Sequence, residues 1–194
     1  MTTILLAAGL STRMGRNKLL LPFKGKTIIE NTLSSLIPFS DRIIVVTGFE
    51  KEKIEEALKV YNCSFVYNKE YEKGQRGSSI CGIKEVKDDD FLIVPSDLPL
   101  LSSRDIEKAI RELKNNKIVR LSHRGIPGHP VFYKKENQRK LLSFSGSMKD
   151  YLFTVGFKEI ESSIGSIFDT DTKEKYEALL ACNADFSILE NYIY

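Results

Sequence analysis

The chain has 194 residues, 42% hydrophobic and 28% charged, which supplies a full core and reads as a soluble globular protein. A net charge of only +3 argues against a dedicated nucleic-acid surface and leaves room for a local anion site. No apolar run approaches the roughly 18 residues of a membrane span, and no cleavable hydrophobic segment opens the chain, so a cytoplasmic protein without membrane or nucleic-acid partners is expected.

Cys63, Cys81 and Cys182 are scattered and odd in number. Without a C-x-x-C pair or a Cys/His cluster, neither a zinc site nor a disulfide framework is indicated. No repeat, low-complexity tract or linker divides the chain, so residues 1–194 read as one domain.

Ile4, Leu5 and Leu6 form a short buried strand that empties into Ala7, Ala8 and Gly9 and then a polar loop with Ser11, Thr12, Arg13, Gly15 and Lys18. Small residues let backbone N–H groups approach an anion, and Arg and Lys add charge, so this loop suits a phosphate. It is neither G-x-x-x-x-G-K-[ST] nor G-x-G-x-x-G. Residues 19–26 predict a loop or short hairpin. Thr27 is placed to cap a helix running to about residue 37 on the stripe Ile28, Ile29, Leu33, Leu36. A strand is expected over 42–47, a helix over 50–61 and a strand over 64–67. That alternation of strands and helices implies crossovers and a parallel sheet.

Residues 68–80 hold Asn68, Gly74, Gly77, Ser78 and Ser79 ahead of an expected helix to about residue 87. The segment reads either as a capped helix after a loop or as an anion or base site at a helix start. A fourth strand, 89–95, runs into Asp97 between Pro95 and Pro99. A carboxylate past the carboxyl end of such a strand sits where open α/β sheets place chemistry. A hard oxygen ligand there suits Mg²⁺, in preference to a helix cap that Ser102 or Ser103 can supply.

A helix is expected over 103–115 and a strand over 117–121. Gly125 and Gly128 suggest a tight turn before a strand over 130–133. His123 and His129 lack a third ligand at metal spacing. Helices over 134–142 and 147–155 and a strand over 157–162 follow. Residues 164–168 then lead to Asp169 and Asp171 at a strand's exit, where an extended backbone would point both carboxylates the same way, ahead of a helix over 173–182. The last dozen residues read as terminal packing.

The run Leu6-Ala7-Ala8-Gly9-Leu10-Ser11-Thr12-Arg13-Met14-Gly15 with Lys18 resembles the L-A-[AG]-G-x-[SG]-x-R-[MF]-G-x-x-K signature of the nucleotidyltransferases that complete molybdenum cofactor. Asn68, Gly74 and Ser78 match that family's N-x5-G-x-x-x-S spacing. Asp97 lies at its G-D-x-P motif with Ser96 in place of Gly, Gly128-His129-Pro130 at its G-H-P motif, and 169–172 at its closing D-x-D-T motif with Lys173 in place of Pro.

The resemblance implies a Rossmann-like three-layer α/β/α fold with a mostly parallel sheet, similar to nucleotide-diphospho-sugar transferases. It implies nucleotide binding by Leu6, Ala7, Ala8, Gly9, Ser11, Thr12, Arg13, Lys18, Asn68, Gly74 and Ser78, with Arg13, Lys18 and Asp97 catalytic. It further implies Mg²⁺ on Asp97 and Asp169, Asp171 as a helix cap, and the acceptor at Gly128 and His129. The reaction implied is nucleotidyl transfer from a triphosphate, CTP favoured by Ala8, to molybdopterin, whose dinucleotide product serves a molybdenum hydroxylase client. The alternatives are guanylyl transfer, transfer to a sugar or polyol phosphate, and a non-catalytic accessory role in hydroxylase maturation.

Overall fold

The apolar runs become the strands of a seven-stranded sheet. In the computed structural model, the structure describes all residues except Thr12, Arg13, Asn183, Ala184 and Tyr194. The elements are β1 (Thr2–Ala7), a small hairpin of β2 (Pro22–Phe23) and β3 (Lys26–Thr27), α1 (Ile28–Leu36), β4 (Arg42–Thr47), α2 (Lys51–Ala57), β5 (Ser64–Tyr67) and α3 (Gln75–Lys84). They continue with β6 (Phe91–Pro95), α4 (Ser103–Leu113), β7 (Ile118–His123), β8 (Ile126–Tyr133), α5 (Asn137–Ser143), α6 (Met148–Val155), β9 (Lys158–Glu161) and α7 (Lys173–Ala181).

The large sheet has the order β5-β4-β1-β6-β8-β7-β9. β8 runs antiparallel to both of its neighbours, and every other pairing is parallel. This is the expected α/β architecture with a mostly parallel sheet.

Strand alternation sorts the core into two layers. Leu5, Val45, Leu92 and Phe132 face one side and meet Leu33 of α1 and Ile106 of α4. Ile4, Ile44, Ile93 and Val131 face the other and meet Ile83, Leu141 and Leu152 of α3, α5 and α6. With both faces covered, β1, β4 and β6 are buried along nearly their whole length and apolar at their centres, as parallel strands require. Each fully buried Leu, Ile or Val contributes about 1.5–3 kcal/mol. α3 lies close on β1: a Cβ at Gly82 would stand 2.3 Å from Ile4 Cγ2. Thr27 forms the expected cap, bonding the Glu30 amide while Glu30 returns a bond to the Thr27 amide.

Four expectations change. α2 ends at Ala57. α3 begins at Gln75, because Gly74 at φ 102° turns the chain into it, so Ser78 and Ser79 lie inside the helix. β8 extends back to Ile126, so Gly128 and His129 stand in a strand. The turn is Arg124-Gly125, both at positive φ, which is the hairpin geometry that matches strand twist. Residues 164–166 form a 3₁₀ turn, so the acidic pair 169–171 does not leave a strand.

Candidate functional site

Adjacent parallel strands β1 and β6 end together, with Leu6 beside Pro95, and their loops separate to leave a crevice. Ser96 ties the two ends. Its amide and its hydroxyl both donate to the Leu6 carbonyl, at 3.2 and 2.7 Å. Its own carbonyl accepts from Thr32 of α1 at 3.0 Å. Ser96 in the family's Gly position therefore adds a bond, and the loop that carries Asp97 is held at three points.

The crevice is a cavity of about 330 Å³. Leu6, Ala8, Gly9, Ser11, Lys18, Gly74, Ser78 and Asp97 all line it. Two predicted residues stand behind the wall. Ala7 is buried in the core. Asn68 is buried and donates to the Ser78 hydroxyl at 3.0 Å, so it holds a lining residue without lining the cavity. Thr12 and Arg13 lie outside the described residues.

Lys18 is the junction of the site. Asn17 caps the short 3₁₀ turn 18–20 by accepting from the Leu19 amide, which fixes where Lys18 leaves the chain. The Lys18 ammonium donates to both Asp97 and Asp171, which come from positions 79 and 153 residues away. What brings Asp171 there is the turn 164–166. Gly165 packs so closely on the loop after Asp97 that a Cβ would stand 1.9 Å from the Leu100 carbonyl oxygen.

The two closing aspartates divide their work differently from expectation. Thr172, not Asp171, caps α7 by accepting from the Lys175 amide. With no strand ahead of it, the pair does not project as an extended backbone would. Asp171 shares Lys18 with Asp97. Asp169 accepts from the Lys175 ammonium and from the Asp171 amide, both at 3.0 Å.

The electrostatics follow from crowding. Burial works against the Lys18 charge, but Asp97 and Asp171 outweigh it and raise its pKa. The Asp97 carboxyl is pushed upward by burial first and then by the Asp169 and Asp171 charges, against the pull of Lys18. Asp97 and Asp171 share the single Lys18 ammonium, and hard carboxylate oxygens of this kind suit a divalent cation. Among the described residues no group of three or more His, Cys, Asp or Glu side chains is placed to hold a metal ion. A cation held by fewer protein carboxylates would take most of its ligands from phosphate and water, as Mg²⁺ commonly does.

A second cavity, of about 460 Å³, opens on the other side of the start of α3, and Gln75 lines both. Gly128 and His129 line this second space, apart from the Lys18 cluster. Gly128 packs against Ser166 of the 164–166 turn, so β8 and the acidic segment share a support. His129 Nδ1 is buried without a hydrogen-bond partner. Its pKa is lowered to about 4, by burial first and then by the Arg120 charge, so the ring is neutral at ordinary pH. A neutral imidazole offers one N–H and one lone pair, which suits orientation of a ligand.

Sequence reasoning missed Arg120, Arg76 and the Asp171 ion pair. Arg120 carried a signal: a charged residue at an inward position of the apolar run Ile118–Leu121 contradicts a core strand. Arg76 donates to the carbonyls of Phe144 and Gly146 and straps α3 to the loop before α6. Nothing local foretells that contact.

Residues 3–154 match the MobA-like NTP transferase domain. The chain is 33% identical over 133 residues to the molybdenum cofactor cytidylyltransferase of Escherichia coli K12, covering 68% of this chain and 69% of that protein. It is 34% identical over 113 residues to the bifunctional protein GlmU of Francisella tularensis subsp. novicida, which is 57% of this chain and 25% of that longer protein. Among solved structures it resembles Rv0371c of Mycobacterium tuberculosis H37Rv, with a TM-score of 0.80 at 21% identity over 92% of this chain and 96% of that one. That protein has also been solved in complex with manganese. CMP:2-keto-3-deoxy-manno-octonic acid synthetase complexed with CTP superposes with a TM-score of 0.79 at 14% identity, over 95% and 98% of the two chains. These likenesses establish the nucleotidyltransferase fold. No helix among the described residues is long and apolar enough to cross a membrane.

Proposed function

The chain belongs to the MobA-like NTP transferase family, and we propose that it transfers cytidine monophosphate from CTP to molybdopterin with release of pyrophosphate. The observation that carries this reading is the largely buried Lys18 ammonium between Asp97 and Asp171 at a glycine-lined cavity. The E. coli relative, a molybdenum cofactor cytidylyltransferase by name, supports the choice of nucleotide and acceptor.

In this reading the backbone from Ala8 to Ser11 cradles the triphosphate. An anionic oxygen of the acceptor phosphate attacks the α-phosphorus. The bond to the β-phosphate oxygen breaks, and its electron pair leaves with pyrophosphate. A phosphate monoester is already largely ionised at pH 7, so no side chain has to take a proton. Lys18 neutralises charge growing on the α-phosphate and the leaving group, an electrostatic contribution that is largest in a partly desolvated cleft. Asp97 would hold the divalent cation with a carboxylate of the closing pair. Asp169 was the first choice from sequence, and Asp171 is the one that shares Lys18 with Asp97. When bound, the cation supplies charge neutralisation and alignment of the phosphates. Gly128 and His129 orient the acceptor from the adjoining cavity.

Thermal unfolding with Mg²⁺ and each of CTP, GTP, ATP and UTP tests the nucleotide. A ligand at a hundredfold excess over its Kd stabilises by about 2.7 kcal/mol, so the preferred base stands out. Pyrophosphate release is then measured with molybdopterin and with sugar phosphates, an arm the GlmU likeness makes necessary. Turnover with a sugar phosphate and not with molybdopterin overturns the acceptor. Hydroxylase maturation that survives Lys18→Met and Asp97→Asn would make the protein a non-catalytic accessory.

A further inference from the structure

The second cavity contains a buried cation that the reading above does not use. Across the sheet, Ile93 of β6 pairs with Val131 of β8, Val131 with Arg120 of β7, and Arg120 with Glu159 of β9. All four project to the side covered by α3 and α6, so this row floors the cavity and ends in an ion pair. Arg120 is only 8% exposed. One of its Nη atoms donates to Glu159, and its guanidinium lies 4.4 Å from the Phe157 ring centroid. Its Nε is buried with no partner, and Nδ1 of His129, which lines the same cavity, is equally unpartnered.

A purely structural ion pair is a poor account of this arrangement. A guanidinium has five donors in a fixed fork, and here one of them is bonded to a protein group among the described residues. An apolar side chain of similar size would fill the same floor without the desolvation penalty. The other cations on the cavity wall are differently placed: Arg76 is committed to two carbonyls, and Lys149 is exposed. Among the described residues no carboxylate lines the cavity, while Val131, Tyr133, Met148 and Leu152 give it apolar walls. Such a space takes a ligand with an apolar or ring body and an anionic oxygen group that reaches the floor.

We propose that Arg120 is the anchor for an anionic group, phosphate or carboxylate, of the second substrate, with Glu159 and Phe157 holding the guanidinium in place until that group arrives. The proposal rests on the nucleotidyl-transfer reading only for what the second substrate is. The chemistry of the cavity stands apart from it. Glu159 then has two effects on the incoming anion: it orients Arg120, and its charge opposes binding. Glu159→Gln keeps a hydrogen-bonding partner for Arg120 and removes the opposing charge.

Calorimetric titration with phenyl phosphate, and with phenol as its neutral counterpart, tests this on the full chain without nucleotide. Saturable binding of phenyl phosphate and none of phenol is expected. Arg120→Met should weaken phenyl phosphate at least tenfold, with Arg120→Lys between the two. Glu159→Gln should tighten it several-fold, a sign that a merely structural pair would not give. No saturable binding to the unaltered chain, equal affinity in Arg120→Met, or weaker binding in Glu159→Gln overturns the proposal. If Arg120→Met fails to fold, Glu159→Gln decides. The nucleotide melts on the unaltered chain report on the other cavity. Their failure with the phenyl phosphate result intact sinks nucleotidyl transfer alone, and the converse sinks the Arg120 anchor alone.

Discussion

The two cavities that flank the start of α3 are made in different ways. The Lys18 crevice is backbone: two parallel strands stop together, small residues follow, and one lysine collects two carboxylates. The neighbouring cavity is side chains on a sheet floor, where His129 of the antiparallel β8 and Arg120 of β7 both line the space. A crevice of the first kind tolerates few substitutions at its charges, because each charge has an opposite partner that would be stranded. The second kind is tuned residue by residue, and changes there should alter what binds before they alter whether the chain folds.

The largest expected effect is on the first region. Lys18→Met removes the cation shared by Asp97 and Asp171, and pyrophosphate release should fall by about 10²–10³-fold, the loss typical of one transition-state charge contact. His129→Gln should cost less, because it alters orientation in the adjoining cavity. Equal losses in the two variants would erase the distinction between them. The next effect tests the segment that serves both regions. Gly165→Ala places a methyl group 1.9 Å from the Leu100 carbonyl oxygen, where backbone must move. We expect a destabilisation of about 3 kcal/mol in urea unfolding, with nucleotide response lost in the folded fraction.

A smaller effect isolates the second region. The folded His129 pKa is held near 4, below the value of about 6.5 in an unfolded chain. Between those values the unfolded state binds the extra proton, so stability rises with pH across this window. The contribution is full above about pH 6.5 and is lost as pH falls toward 4, amounting to about 3 kcal/mol at most. Other carboxylates titrate in the same range, so the measurement is the difference between the unaltered chain and His129→Gln. A difference that stays flat from pH 7 to 4 would mean that the ring is not held neutral by its surroundings.

The same contrast governs how much could be read from sequence. Whatever depends on neighbours within about ten residues was legible: the strand and small-residue loop from Ile4 to Gly9, the Thr27 cap and the strands over 42–47 and 64–67. So was Asp97 beyond β6. Asn68 was found for its spacing, but its work is to hold Ser78, and spacing does not say which of two residues faces the cavity. The start of α3 was misread because Gly74, a single positive-φ residue, sets it. The roles of Asp169 and Asp171 depend on Gly165 packing against Leu100 and on Lys18 reaching across 153 residues. No local pattern carries that, and the cross-strand row that ends in Arg120 is equally non-local.

The smallest predicted effect sharpens the comparison at Ser96, a position where the crevice departs from its family's pattern. Ser96→Gly restores the residue usual before that aspartate and removes the hydroxyl that donates to Leu6 at 2.7 Å. The Leu6 carbonyl keeps its bond from the residue 96 amide, so no buried acceptor is left bare. The expected cost is therefore that of one neutral hydrogen bond, about 1 kcal/mol, plus a few tenths for the freer glycine backbone. For a chain of this size that lowers Tm by about 2–4 °C. Turnover should stay within about twofold, because Asp97 remains tied through the Ser96 amide and through the residue 96 carbonyl that Thr32 holds. A tenfold loss would mean that the serine hydroxyl itself fixes the direction of Asp97, and the crevice would then be tuned by side chains as its neighbour is.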